Sequence, residues 1–308
     1  MDDEPNVTYI TLGGHVEVHK YKYLYFLIIL TFYILIISFN VTIVCLIWIH
    51  RTLHEPMYIF VAALLVNSVL FSTTMYPKLL VDFLSEKQII SYSACLFQFF
   101  IFYSLAGSEF LLLAAMSYDR YVSICKPLQY PTIMKKGSVS IFLVLAWLVP
   151  ACEIAVLAML SADMKLCNLT LNGIFCNNAI YSLHCENSKA RSIFGVVALI
   201  ITALFPLLFI LFTYTRILII SYLSSRSVRK KAAQTCLPHL LVLISFSSLC
   251  AFDVSIVRLG SELPKTVHLI MTLQAILYHP LFNPIIYGLK MKEITKNVRR
   301  LLCPGKAI

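Results

Sequence analysis

LYFLIILTFYILIISFNVTIVCLIWI, residues 24–49, runs without one Asp, Glu, Lys or Arg. About 20 such residues, coiled as a helix, cross the hydrocarbon core of a bilayer, so Leu24–Ile49 reads as a transmembrane span. Six stretches of similar character follow, at Met57–Phe83, Cys95–Ile124, Val139–Leu160, Ser192–Leu223, Thr235–Val257 and Val267–Tyr287. Composition agrees. Of 308 residues, 59% are hydrophobic and 13% charged, and the mean hydropathy is +0.83, far from the balance of a soluble domain. Pro150, Pro206, Pro238, Pro280 and Pro284 interrupt several spans. Helix breakers are tolerated in lipid only where neighbouring helices satisfy the freed backbone groups. The expectation is therefore an all-α membrane protein, a single bundle of seven transmembrane helices. The longest connection is Ser161–Arg191, and no repeat or low-complexity tract is visible.

An odd number of spans places the two termini on opposite sides of the bilayer. With the N-terminus outside, the inner face carries sixteen Lys and Arg, among them Arg51, Arg120, Lys126, Lys230 and Lys231, against only Glu55, Asp119 and Glu293. Cations are retained on the cytoplasmic side of short loops, which favours this orientation. It divides the chain into an extracellular N-terminus (1–23), a seven-span domain (24–287) and a cytoplasmic amphipathic helix and tail (288–308). The formal charge of +10 is thus an inward-facing one, and its division among loops argues against a nucleic-acid partner. The start, MDDEPN, lacks the basic and apolar regions of a cleavable signal peptide, so span one is expected to serve as an uncleaved anchor. Glycosylation acceptors agree with the orientation: Asn6-Val7-Thr8 and Asn168-Leu169-Thr170 fall on outer segments, whereas Asn40-Val41-Thr42 lies inside span one and should stay unmodified. Of ten Cys, the outer side holds Cys95, Cys167, Cys176 and Cys185, and four cysteines permit three pairings. Cys303, after the amphipathic tail, is either a plain thiol or a palmitoylation site.

Four motifs, collinear and spread over nearly the whole chain, carry a family resemblance. They are LHEPMY (53–58), MSYDRYVSIC (116–125), KAAQTCLPHL (231–240) and HPLFNPIIYGLK (279–290). Together they resemble the odorant receptors among the rhodopsin-like G-protein-coupled receptors. MYPKLLVDFLSEKQIISYSACLFQ and FDVSIVRL further resemble the fish branch of that family. The resemblance implies a receptor for a small odorant, coupled to a heterotrimeric stimulatory G protein of the olfactory type that raises cyclic AMP. It also implies a multi-pass place in the plasma membrane of olfactory cilia. Asp119, Arg120 and Tyr121 would form the switch at the inner end of span three. Tyr214 matches the tyrosine of span five, and Asn283, Pro284 and Tyr287 match the kink of span seven. Asn40 matches the asparagine of span one, and Ser68 stands where many receptors of the wider class carry an aspartate of the sodium pocket. Cys95–Cys176 is the expected disulfide, with Cys167–Cys185 a second that stays open. The ligand would bind in the outer half of the bundle, lined by Phe99, Phe102, Tyr103, Ala106, Ala198, Thr202, Cys250, Val254 and Leu273. Arg258, one turn beyond Val254, offers a fork that can clamp a carboxylate, or it pairs with Asp253 or reaches the headgroups. An acidic or zwitterionic ligand is the corresponding expectation.

Glu109 lies eleven residues before Arg120, about three helical turns deeper, near mid-membrane, where an ionisable side chain is costly and usually functional. It would hold a cation or a proton, or remain a protonated, hydrogen-bonded acid. No phosphate-binding loop, metalloprotease helix or nucleophile elbow appears in the sequence, so the chain is not read as an enzyme and no cofactor is expected. His15 with His19 and His50 with His54 have i, i+4 spacing but no evident third ligand, so no metal is expected. Two competing readings remain: a chemoreceptor of another tissue, and a transporter or channel using Glu109, Glu153 and Asp253 as an ion path.

Overall fold

The computed structural model describes residues 8–15, 18–186, 188–223, 236–237, 239–251, 265–290 and 293–295. Its helices are α1 (Val18–Ile49), α2 (Pro56–Leu84), α3 (Tyr92–Cys125), α4 (Lys136–Ala162), α5 (Lys189–Tyr222), α6 (His239–Ala251) and α7 (Lys265–Lys290). The first five are long and apolar enough to cross a membrane, and the described part of α6 is a shorter apolar helix. The seven pack as one bundle. Most apolar stretches lie within the helix they announced, as Val139–Leu160 lies inside Lys136–Ala162, because backbone hydrogen bonding does not stop where the hydrocarbon does. Pro56 starts α2 at a position where its missing N–H costs nothing. The Ser91 hydroxyl opens α3 by accepting from Ala94 N–H at 3.3 Å. In their most apolar windows α2 is 56% and α3 50% buried, against 22% for α1, α4 and α5, so α2 and α3 form the centre. Large apolar groups on the perimeter, such as Trp48 and Phe205, are exposed, where lipid solvates them as well as a core would.

Prolines decide how the helices join. Pro284 has no N–H to give to the carbonyl four residues earlier, that of Pro280, and the side-chain amide of Asn40 on α1 donates to that carbonyl at 2.9 Å. Pro280 frees the carbonyl of Ile276 in the same way, and the hydroxyl of Tyr76 on α2 donates to it at 3.3 Å. Pro206 on α5 is preceded by a π turn, Ile200–Leu204, in which Phe205 N–H bonds Ile200 O, a widening that absorbs the irregularity.

The sequence suggested helices alone, yet one end of the bundle carries a three-stranded sheet. Its strands are β1 (Tyr9–Leu12), β2 (Ile89–Ser91) and β3 (Thr170–Leu171), in the order β2-β1-β3. β1 runs antiparallel to β2, with Ile10 opposite Ile90, and parallel to β3, with Thr11 opposite Thr170. Ile10 and Leu12 are buried while Tyr9 and Thr11 are exposed, the alternation of a half-buried strand. A Cβ on Gly14 would stand 2.5 Å from the carbonyl carbon of Gly173, so only glycine lets the two loops touch there. Bonds Cys95–Cys176 and Cys167–Cys185 tie the long loop to α3 and to itself.

A polar chain holds the same end together. Arg191 of α5 donates to His184 Nδ1 at 2.6 Å, and its guanidinium lies 4.5 Å from the Tyr181 ring. His184 Nε2 lies 2.9 Å from the hydroxyl of Tyr92, which donates to Ser161 O at the end of α4. Burial, with the Arg191 charge adding to it, holds the His184 imidazole down at about 4. The ring therefore accepts from Arg191 and donates to Tyr92, linking α3, α4, α5 and the loop.

Two outcomes follow from these contacts. Tyr76→Phe leaves the Ile276 carbonyl without its donor and should destabilise the detergent-solubilised protein by about 1 kcal/mol, the order measured for interhelical hydrogen bonds in membranes; an unchanged melting temperature would show that the carbonyl has another partner. His184 is neutral in the fold but binds a proton below about 6.5 when unfolded. Its contribution is therefore complete above that pH and is lost as pH falls toward about 4. The wild type should lose more of its melting temperature over this window than His184→Gln does.

Candidate functional site

Asp119 and Arg120 are neighbours on α3 and so point about 100° apart around its axis. They meet because the Arg120 chain folds back, its Nη2 donating to Asp119 Oδ2 at 2.9 Å. Asp119 is fully buried, and its other oxygen accepts from the Tyr130 hydroxyl at 2.8 Å. Tyr130 begins a one-turn helix, Tyr130–Ile133, that follows the break of α3 at Lys126 and Pro127. Burial, and then the Asp119 charge, push the Tyr130 phenol above its usual range, so it remains a donor. Both carboxylate oxygens are thus engaged, while Arg120 Nε is buried without a partner among the described residues.

Three more helices converge on this end. Tyr214 of α5 is buried, its hydroxyl without a partner among the described residues. Tyr287 of α7, fully buried, lies 3.2 Å through its hydroxyl from His239 Nδ1 of α6. Tyr121 is half-buried, with the Lys126 ammonium 6.0 Å from its ring. Pro284 is buried one turn before Tyr287. Sequence reasoning missed Tyr130 and His239. A lone loop tyrosine gives no periodic or charge signal, whereas a histidine inside a span is itself a signal of function. The Lys230 and Lys231 positions lie outside the described residues.

Deeper in the bundle, Asn283 Nδ2 donates to Ser68 Oγ and to Glu109 Oε1, each at 3.1 Å. Asn40 Nδ2 serves Ile36 O at 2.8 Å as well as Pro280 O, so it has both a local backbone partner and a distant one. Asn40 Oδ1 and Asn283 Oδ1 are buried and have no partner among the described residues. Helices α2, α3 and α7 thereby share one polar centre around Glu109, and Asn40 ties α1 to α7 one turn away, at Pro280.

Toward the sheet end, the expected lining residues divide among three apolar clusters. Phe99 and Ala198 pack with Ile10, Ile154 and Ile180 beneath the sheet. Phe102 and Leu273 belong to a second cluster with Phe71, Phe175 and Ile276. Ala106 and Cys250 flank the third, which reaches toward Arg120. Tyr103 touches the first two, its ring 4.9 Å from Phe99 and 4.8 Å from Phe102, and its hydroxyl accepts from Asn178 N–H at 3.0 Å. Thr202, in the π turn of α5, is buried and donates to Ala198 O at 2.7 Å. Val254, Asp253 and Arg258 lie outside the described residues, as does Asn6. Asn168 is exposed, its side-chain oxygen accepting from Thr170 N–H, whereas Asn40 is sealed in the bundle. His50 Nδ1 and His54 Nε2 each lie near a backbone carbonyl, and no group of three or more metal-ligating side chains occurs among the described residues.

Known proteins supply the context for this arrangement. The family model described as "Olfactory receptor" matches residues 29–305. Human olfactory receptor 11A1 is 32% identical over 302 residues, covering 96% of this chain and 94% of its own length. Human olfactory receptor 2T27 is 34% identical over 294 residues, with 93% and 92% covered. A seven-helix bundle with a buried Asp-Arg pair at one end, matched along nearly its whole length by these receptors, is a multi-pass membrane protein of the olfactory receptor family.

Proposed function

We propose that this chain is an odorant receptor that converts the binding of a small extracellular molecule into G-protein activation at Arg120. One observation supports the reading: in a member of this family, both oxygens of a fully buried Asp119 are occupied, by Arg120 and by Tyr130, as a closed resting state would require. Separating a partly desolvated ion pair costs a few kcal/mol at most, a size that ligand binding can offset, provided the ligand prefers the open packing by a comparable amount. Movement of α6 and α7 would part His239 from Tyr287 and expose Arg120 to the partner. The N-terminus and the disulfide-bearing end face outward, and the basic loops with Lys230 and Lys231 face the cytoplasm. The partner is a stimulatory G protein of the olfactory type, acting through adenylyl cyclase in the ciliary plasma membrane of olfactory neurons. No covalent chemistry is assigned to the chain. Asn6 and Asn168 carry glycans, and residues 288–308, most of which lie outside the described residues, make up the cytoplasmic segment. Glu109, with Asn283, Ser68 and Asn40 around it, holds a cation or a proton that steadies α7. The ligand reaches the outer half of the bundle at Phe99, Phe102, Tyr103, Thr202, Leu273 and neighbouring positions, and Arg258 clamps its carboxylate.

Cyclic AMP, measured in cells with surface-verified receptor against small acids, amino acids and neutral odorants, tests the reading. Arg120→Ala should abolish the ligand-dependent rise; an equal response in mutant and wild type would count against the switch. Tyr130→Phe removes a hydrogen bond to a charged group, worth about 1.5–3 kcal/mol, and should raise the basal signal several-fold. A full response to acids after Arg258→Ala would sink the carboxylate assignment.

A further inference from the structure

Gly107 of α3, Pro150 of α4 and Thr202 of α5 meet at one point. A Cβ on Gly107 would stand 2.8 Å from Pro150 Cβ and 3.5 Å from Thr202 Cβ. α3 runs away from the sheet end while α4 runs toward it. One turn nearer the sheet, therefore, come Tyr103 and Ser104 on α3, Glu153 and Ile154 on α4, and Ala198 on α5. The α3 positions 104, 107, 111 and 118 recur at the three- and four-residue spacing of one helix face. That face is fixed against α4 by Gly107 on Pro150 and by the Tyr118 ring, 5.8 Å from Phe142. On α4 the buried residues Ala146, Pro150, Ile154, Leu157 and Ser161 mark the inward stripe, and Glu153 borders it, one turn from both Pro150 and Leu157.

Two polar atoms at this level are buried without a partner among the described residues, Glu153 Oε2 and Ser104 Oγ. Ser104 is only 6% exposed, and no ion pair involves Glu153 among the described residues. Neither group takes part in the Arg120 switch or in the polar centre around Glu109. An acid within a membrane span is costly and retained for function, and a buried acceptor left unsatisfied forfeits free energy that an incoming donor restores.

We propose that Glu153 is a specificity-determining residue of the ligand site, receiving a protonated primary amine of the ligand between α3, α4 and α5, with Ser104 Oγ as a second acceptor. An ammonium carries three donors and no acceptor, and an ionised carboxylate only accepts, so Glu153 takes part of its donors and Ser104 Oγ another. A neutral alcohol gives one weaker hydrogen bond, and a carboxylic acid brings a like charge, so both are disfavoured at this position. Ala198 and Thr202 keep the facing wall of α5 small, and Phe99 and Tyr103 offer apolar surface to the carbon chain. This inference rests on the receptor reading above, and deepens it by naming the charge that the bundle interior selects.

The test uses the full chain in cells, with receptor at the surface confirmed by antibody, and reads both cyclic AMP and a promiscuous G-protein calcium reporter. The probes are primary alkylamines and amino acids beside alcohols and carboxylic acids of matched length. We expect amine-bearing probes to activate the wild type. Glu153→Gln should raise their half-maximal concentration at least about 30-fold, as loss of one member of a buried charge pair does, Glu153→Asp should restore part of it, and Ser104→Ala should weaken amines by a smaller factor. Amine responses that Glu153→Gln leaves unchanged overturn the proposal. So does a wild type silent to amines: if acids or alcohols still activate it, the receptor reading survives alone, and if no class does, both fall.

Discussion

In a bilayer no water is available to take up a backbone carbonyl that loses its helical donor, and the packing of this bundle follows from that constraint. Helix α7 contains Pro280 and Pro284, and each leaves one carbonyl of the preceding turn without an N–H. The first is met by Tyr76 from α2 and the second by Asn40 from α1. Those two bonds set the depth and rotation of α7 against its neighbours, and with them the positions of Asn283 and Tyr287. Asn283 can then reach Glu109 and Ser68 together. A chain that needed only apolar spans would have no use for such prolines; here they convert a backbone defect into specific interhelical contacts.

Helix α3 carries the consequences along its length. It presents Ser104 near the sheet end, Glu109 at mid-depth and Asp119 at the opposite end, the last two separated by about 15 Å along the axis. A small displacement of this central helix is therefore felt at each polar level together. The two ends are held differently. The sheet end is restrained by two disulfides, strand pairing and the Arg191–His184–Tyr92 chain, so loop and helices there move as a unit. Among the described residues the Arg120 end is held by one ion pair and by hydrogen bonds of Tyr130 and His239, interactions that can be exchanged without unfolding anything. That asymmetry suits a molecule anchored on one face and switchable on the other.

Much of the framework is legible in the chain because membrane insertion is a local property: any window of about 20 residues is either apolar enough to span or it is not. Leu24–Ile49 is decided by its own composition, and so are the spans carrying Glu109 and Arg120. The small sheet is not legible. Tyr9–Leu12 has no partner nearby in sequence, and its pairing with residues near 90 and 170 is set by where the helices bring those loops. Tyr130 is silent for the same reason, since its importance comes from an acid eleven residues earlier that only the break after α3 brings within reach. The residues expected to line one ligand pocket illustrate the limit from another side. Helical spacing places Phe99, Phe102 and Ala106 in the outer half of the bundle, but their division among three clusters depends on the rotation of α3 against α4, α5 and α7.

The sequence by itself determined the seven apolar spans, the asymmetric distribution of cations, and the Asp-Arg-Tyr and Asn-Pro motifs, because each is fixed by residues adjacent in the chain. The tertiary structure alone decided which partners those groups find. Asn40 meets a carbonyl 240 residues away, Asn283 meets a serine 215 residues away, and both contacts depend on helix rotation and depth. Those quantities follow from the sum of interhelical packing and freed backbone groups, which no single window of sequence contains.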